Sequence, residues 1–400
     1  MILTRPVILI IVGISGDLSK RKLLPAIASL AKDEKIGENF RVIGITRRDN
    51  VLLEDLLEHV EDQTYLEGHA ELFQMDLDNF SEYERLAEYL KEIEKLFGQE
   101  AERLIYLSVP PQVSEPIIDL LGTSGLFKVP HTKLLLEKPF GVDLQSAEDL
   151  SKHIDEHFDR EDVYLIDHYL AKRAVSDLMD PKENNDWDNR SIESIEVTAS
   201  ERLGIEGRAR FYEETGALKD FVQSHLLETL VSVLADKSDA DSERNISEKR
   251  LKALQDLEVS GRSKRGQYKG YREEVGNPES MVETFASISL RSNDPEWQGV
   301  SIVLKTGKAL DKKFSEIKIT FNKDQDDESK YLSIDLDSKE DKGTAYERII
   351  LGAIDSDHSL FVSVEEALET WRILEPVLKS WEESSDSLVV YEKGSNIESI

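Results

Sequence analysis

The sequence predicts a two-domain protein: an N-terminal doubly wound, parallel α/β sheet followed by a C-terminal α+β domain with a mainly antiparallel sheet. Three observations lead there. Val7-Ile-Leu-Ile-Ile-Val12 is an unbroken run rich in β-branched residues, as in a strand buried on both faces, and it opens directly into Gly13-Ile-Ser-Gly16. Strand-like apolar runs then alternate with helical segments through the first half, the βαβ pattern of a parallel sheet. In the second half, apolar and polar residues alternate along separate runs, as in antiparallel strands with one wet face.

Gly13 and Gly16 permit a tight turn and close backbone approach, and a helix starting near Leu18 aims its unpaired amides over that turn. Such a strand–turn–helix cradles phosphate and suggests a dinucleotide site. Residues 41–46 form the second strand, and residues 52–60 read as helical. Residues 104–109 make a strand stopped by Pro110-Pro111, and Thr132–Glu137 another, followed by Pro139. Residues 146–157 read as an amphipathic helix and Val163–Ile166 as a short strand. Beyond it, Ile192–Ser200 alternates, residues 215–235 form a long helical pattern, and residues 281–290, 300–304 and 316–321 alternate again. The polar stretches 236–248 and 323–330 read as surface loops. The domain boundary is expected within 167–177, giving domains 1–172 and 173–400.

Four hundred residues exceed one compact core. A hydrophobic content of 39% with four Trp indicates a folded globular chain, and no run approaches the length of a membrane helix. The first residues mimic a secretory leader, but no small-residue cleavage site follows, so the apolar run reads as the first strand. The absence of Cys excludes disulfides, thiolate nucleophiles and cysteine-held zinc, and makes the cytoplasm the simplest location. A net charge of −31 argues against nucleic acid as a partner. Any anionic ligand must then be drawn in by local cations against an unfavourable overall field. Basic residues are bunched at Lys20-Arg21-Lys22, Arg47-Arg48, and Lys305, Lys308, Lys312 and Lys313.

Four motifs stand in order: the Gly13–Leu18 turn, Glu137-Lys138-Pro139-Phe140-Gly141, Asp167-His168-Tyr169-Leu-Ala-Lys172, and Gly216-Ala-Leu-Lys-Asp220-Phe-Val-Gln-Ser-His225. Together they closely resemble the glucose-6-phosphate dehydrogenase family. The resemblance continues through Arg265-Gly-Gln-Tyr268, Lys305-Thr-Gly-Lys308, Ala345-Tyr-Glu-Arg348 and Glu369-Thr-Trp-Arg372, covering nearly the whole chain. It implies a Rossmann-like domain, a C-terminal domain with a large sheet, glucose 6-phosphate as substrate, and a homodimer or homotetramer.

The resemblance implies a cofactor site at Gly13, Ser15, Gly16, Asp17 and Leu18, with Asp76 and Leu77 toward the adenine. Arg47 falls where the family meets the 2′-phosphate of NADP. A guanidinium suits that phosphate, whereas an acidic residue would select NAD, which stays open as the alternative. The family's base maps to His225, whose imidazole suits proton removal near neutrality, and its orienting acid to Asp167. Substrate phosphate maps to His168, Tyr169, Lys172 and Lys313, and sugar hydroxyls to Glu201, Asp220 and Lys308. Lys138 is expected to serve both substrate and cofactor, across a cis Lys138–Pro139 bond. Lys305 and Lys312 are expected to be solvated surface charges.

Ala171, Arg173, Ser224 and Lys305 depart from the family's usual Gly, Glu, Asn and Arg, and the chain is shorter than a typical member. None of these changes removes a catalytic group. His153-Ile-Asp-Glu156-His157 matches an inverted zinc-peptidase pattern but lies in a charged helix without a third ligand, which reads as chance. The alternatives are a dehydrogenase of the same layout acting on another sugar or sugar phosphate, and a degenerate non-catalytic member. The lysine group argues against an uncharged substrate, and the retained Asp167 and His225 against degeneracy.

Overall fold

The computed structural model describes residues 5–179, 187–235, 246–261, 263–322, 330–337, 344–383 and 388–400. The chain divides into two compact units. One comprises Met1–Gly141, Glu148–Ala171 and Lys342–Val364; the other comprises Val142–Ala147, Lys172–Asp341 and Glu365–Ile400.

The first unit is built on β1 (Val7–Val12), β2 (Phe40–Thr46), β3 (Ala70–Gln74), β4 (Glu102–Leu107), β5 (Thr132–Glu137) and β6 (Val163–Ile166). Their order is β3-β2-β1-β4-β5-β6, and every pairing is parallel. The order reverses between β1 and β4, the switch point at which such sheets leave a crevice at their carboxyl ends. Every residue of β1 is buried, as its unbroken apolar run requires. Of the predicted helix 52–60 only Leu53–Leu56 is helical. The helix Phe80–Phe97, by contrast, runs for five turns between an Asn79 side-chain cap and Gly98 in the left-handed conformation. Late in the chain, the helix Thr344–Asp355 adds Ile349, Ile350 and Ala353 to this unit's core. Lys133 ties it down by donating to the Ala353 carbonyl while pairing with Glu102.

The second unit carries β7 (Ile192–Ser200), β8 (Leu257–Val259), β9 (Lys264–Tyr268), β10 (Phe285–Ser292), β11 (Ser301–Gly307), β12 (Phe314–Phe321), β13 (Tyr331–Asp335) and β14 (Leu388–Tyr391). They form one eight-stranded sheet in the order β13-β12-β7-β11-β10-β9-β14, with β8 on β10. The sheet is mixed rather than purely antiparallel, since β7–β11 and β9–β14 pair in parallel. The predicted helix 215–235 begins earlier, at Ala209, and breaks at Gly216. It resumes as a π-helical stretch, Leu218–Leu226, and ends as the α-helix Leu227–Leu234. The predicted loop 236–248 gives way to helix at Ile246, and its earlier residues, like 323–329, lie outside the described residues.

In this unit Arg250 donates to both oxygens of Glu366, and neither side chain is exposed to solvent. Ser247 supplies another donor to Glu366. Glu366→Ala leaves an uncompensated guanidinium in the interior, and urea unfolding is expected to show a loss of about 3–5 kcal/mol. A midpoint unchanged from the parent would reject this assignment.

Candidate active site

In the first unit the turn after β1 is built as the glycines require. Gly13 sits at φ +89°, and its Cα faces the Ser108 carbonyl at the end of β4 so closely that any side chain would collide with backbone. Gly16 donates to the Gly13 carbonyl over 2.9 Å, and Ser19 Oγ bonds the same carbonyl at 3.2 Å. The following helix starts at Asp17, where Asp17 pairs with Arg21 at 2.7 Å. Ser15 and Leu18 are half-buried around the turn. Arg47 lies exposed just past β2, and Asp76 exposed just past β3, while Leu77 is buried and its carbonyl accepts from the Tyr83 hydroxyl. These residues cluster at the carboxyl ends of β1, β2 and β3. A glycine cradle backed by strand ends is what a pyrophosphate-bearing cofactor needs, so the residues present fit such a group.

Beyond β5, the Lys138–Pro139 bond is cis, as the resemblance implies. Glu137 accepts from the Tyr106 hydroxyl. Burial pushes its carboxyl up to about 7, against the Tyr106 hydrogen bond and the Lys138 charge. After β6, Asp167 is 1% exposed, and its Oδ1 accepts from the Tyr169 amide at 2.9 Å. The ring of His168 stacks on Tyr346 with centroids 6.3 Å apart, and Arg348 donates to the Ala171 carbonyl at 3.0 Å. The Ala345–Arg348 motif therefore braces the Asp167–Ala171 segment. Its order in the sequence resembled the family, but only the return of this segment to the first unit gives it a task.

In the second unit His225 is 2% exposed, on the π-helical stretch, with the Phe221 ring 5.3 Å away. That stretch starts where Gly216 adopts φ 63° and ψ −176°. The Glu283 carboxylate fills the space beside Gly216 and accepts from the Leu218 amide at 2.9 Å. Lys308 is 3% exposed. It pairs with Glu201 and, at 3.7 Å, with Asp220. Its ammonium also lies 5.2 Å from the Tyr212 ring centroid and 5.6 Å from that of Phe221. The predicted hydroxyl-binding trio thus converges, and Tyr212 joins it unannounced by the sequence. Lys172 pairs with Asp337 at 2.9 Å, and the exposed Lys313 lies within reach of the same carboxylate. Lys305 is not a solvated charge: Glu196 at 2.7 Å and Glu398 at 2.6 Å hold it. Lys312 remains exposed over Phe314.

His153 and His157 of the peptidase-like pattern both face Asp119, at 3.0 and 3.4 Å, while Glu156 points to solvent. The pattern is absorbed by helix packing.

Residues 10–177 match the family model "Glucose-6-phosphate dehydrogenase, NAD binding domain". Residues 183–340 and 326–398 match its C-terminal domain. Among curated relatives, the glucose-6-phosphate 1-dehydrogenase of Chlamydia muridarum is 30% identical, the match covering 94% of this chain and 90% of that protein. The Dickeya dadantii enzyme of the same name is 30% identical, over 97% and 94%. Among solved structures, a glucose-6-phosphate dehydrogenase in complex with its substrate superposes with TM-score 0.87 at 25% identity, over 98% of this chain and 95% of that one. The glucose-6-phosphate 1-dehydrogenase of Mycobacterium avium gives 0.82 at 27%, over 98% and 94%.

Proposed function

Since the chain belongs to the glucose-6-phosphate dehydrogenase family, we propose that it oxidises glucose 6-phosphate at C1 to the 6-phosphogluconolactone, passing the hydride to NADP. The enzyme class and a nicotinamide cofactor come with the family. The convergence of Glu201, Asp220 and Lys308 in one unit carries the substrate reading, because a buried lysine held by two carboxylates presents both donors and acceptors to sugar hydroxyls. A nicotinamide ring, when bound, takes up the hydride. His225 removes the C1 hydroxyl proton as the hydride leaves, and Asp167 holds the imidazole in the accepting tautomer and stabilises the imidazolium that forms. Lys172, Lys313, His168 and Tyr169 receive the substrate phosphate, and Lys138 serves substrate and cofactor together. Local cations are needed because the chain as a whole carries −31. Gly13, Ser15, Gly16, Asp17, Leu18, Asp76 and Leu77 hold the cofactor. We further propose a division of labour between domains 1–172 and 173–400, and a cytoplasmic homodimer or homotetramer.

The test is absorbance of reduced nicotinamide with each pairing of NADP or NAD and glucose 6-phosphate or glucose. Turnover requiring the phosphate and favouring NADP is expected. Equal turnover of free glucose would reject the substrate assignment. Arg47 is exposed at the end of β2 and free to meet a 2′-phosphate. Arg47→Ala is expected to raise the KM for NADP by about 10–100-fold, the worth of one charged hydrogen-bonding group, with little change for NAD. Equal effects on the two cofactors would place Arg47 elsewhere.

A further inference from the structure

The β12–β13 hairpin delivers an anion to a place where an anion should be a competitor. Its register pairs Glu316 with Asp335, and the chain leaving β13 runs on in the same register beside the start of β12. There the Leu336 amide bonds the Ser315 carbonyl at 2.8 Å, and the Asp337 amide bonds Asp335 Oδ1 at 2.8 Å. This turn directs the Asp337 carboxylate onto Lys172 Nζ, 2.9 Å away, with the lysine side chain only 11% exposed. Burial alone would raise the Asp337 carboxyl. The hydrogen bond and charge of Lys172, the Ser315 hydroxyl and the Lys313 charge outweigh it and hold the group below the ordinary aspartate value, so it is ionised at neutral pH.

We propose that Asp337 is an affinity-determining residue: a tethered counter-ion on Lys172 and Lys313 that the phosphate of the substrate must displace. The inference rests on the reading of those two lysines as phosphate ligands. Its physical content is a competition. A carboxylate fixed within a hydrogen bond of a lysine neutralises much of the charge that a phosphate would otherwise feel, and the free enzyme is stabilised relative to the complex. The substrate's phosphate, close to a dianion at neutral pH, still prevails at sufficient concentration, but at a higher KM. A phosphate gains more from two lysines than a carboxylate does, so the device suppresses weak anions more than the substrate.

Asp337→Asn keeps the shape and an oxygen acceptor for Lys172 while deleting the charge. It is expected to lower the KM for glucose 6-phosphate by about three- to tenfold, the scale of one partly exposed ion pair. The inhibition constant of inorganic phosphate against glucose 6-phosphate is expected to fall in parallel. KM for the nicotinamide cofactor and kcat are expected to stay within about twofold. Asp337→Ser, which removes the charge and the reach together, should behave alike and guards against a local misfolding effect in the amide variant. An unchanged or raised KM in both variants, with the thermal midpoint intact, overturns the proposal: unchanged, because the carboxylate then costs the substrate nothing, and raised, because Asp337 then positions Lys172 for binding. Wild-type protein that ignores the phosphate altogether defeats the underlying reading instead, so the two failures are distinguishable.

Discussion

Asparagine in place of His225, the proposed base, is expected to lower kcat for glucose 6-phosphate by about 10³-fold, the usual cost of losing a general base, while KM for the substrate is expected to stay within about threefold. Asparagine preserves the size and one hydrogen-bonding edge of the imidazole but cannot take a proton near neutrality. The 2% exposure of His225 matters, because a water-filled replacement site would let solvent substitute as base and blunt the loss. Asp167→Asn is expected to bring a loss of the same order, about 10³-fold or more, since an amide can turn its NH2 to the ring and fix the tautomer that cannot accept the substrate proton, and it cannot stabilise an imidazolium. If the two residues act as one unit, the double variant falls no further than His225→Asn alone. Multiplicative losses in the double variant would separate the residues into independent roles, and an unchanged kcat in His225→Asn would remove the base assignment.

The parts of this protein that read well from sequence are those in which one physical demand dominates. The run Val7–Val12 is apolar at every position because β1 is covered on both faces, and Gly13 follows because no side chain fits against Ser108. The helix Phe80–Phe97 is hard to read from sequence although its signal is present: Tyr83, Leu86, Leu90 and Ile93 are buried at three- and four-residue spacing among many charges. A charged face masked a regular apolar stripe. The break at Gly216 was hidden for the opposite reason, since the apolar pattern continues straight through it and only the backbone reverses. Other features depend on partners remote in sequence. Lysine is normally solvated, so nothing local marks Lys308 as buried between Glu201, Asp220 and two aromatic rings. Lys172 and Asp337 meet across 165 residues, and Lys305 finds Glu398 across 93, distances over which no periodicity carries information.

Alanine at Gly216 tests whether that break is what aims the His225 helix. A conformation of φ 63° and ψ −176° lies in the region reserved for glycine and costs any other residue about 1–3 kcal/mol. The new methyl group would also press on the Glu283 carboxylate, most closely on the Oε1 that accepts from the Leu218 amide, and dislodge it from that amide. Losing that hydrogen bond adds about 1–3 kcal/mol, so urea unfolding should register a total of about 2–6 kcal/mol. Catalysis should suffer with stability. The backbone of Glu283 also accepts from the Ala217 amide, while the carbonyl of the next residue, Thr284, accepts from the Lys308 amide at 2.9 Å. The same two residues therefore set both the helix bearing His225 and the lysine among the proposed sugar-binding groups, and kcat/KM is expected to fall by about 100-fold or more. Trimming the obstacle in Gly216→Ala/Glu283→Ala relieves the steric part but not the backbone part, so partial rescue of the unfolding midpoint is expected. Glu283 adds a pH signature of its own. Burial pushes it up to about 7 from 4.5, against the Leu218 amide and the charges of Arg265 and Lys219. The fold thus favours the neutral carboxyl, and that contribution is complete below about pH 4.5 and lost as the pH climbs through about 7. Glu283→Gln keeps the acceptor for Leu218 and should flatten this stretch of the stability curve. If Gly216→Ala instead unfolds at the parental midpoint with parental kcat/KM, the break at Gly216 does not aim the helix.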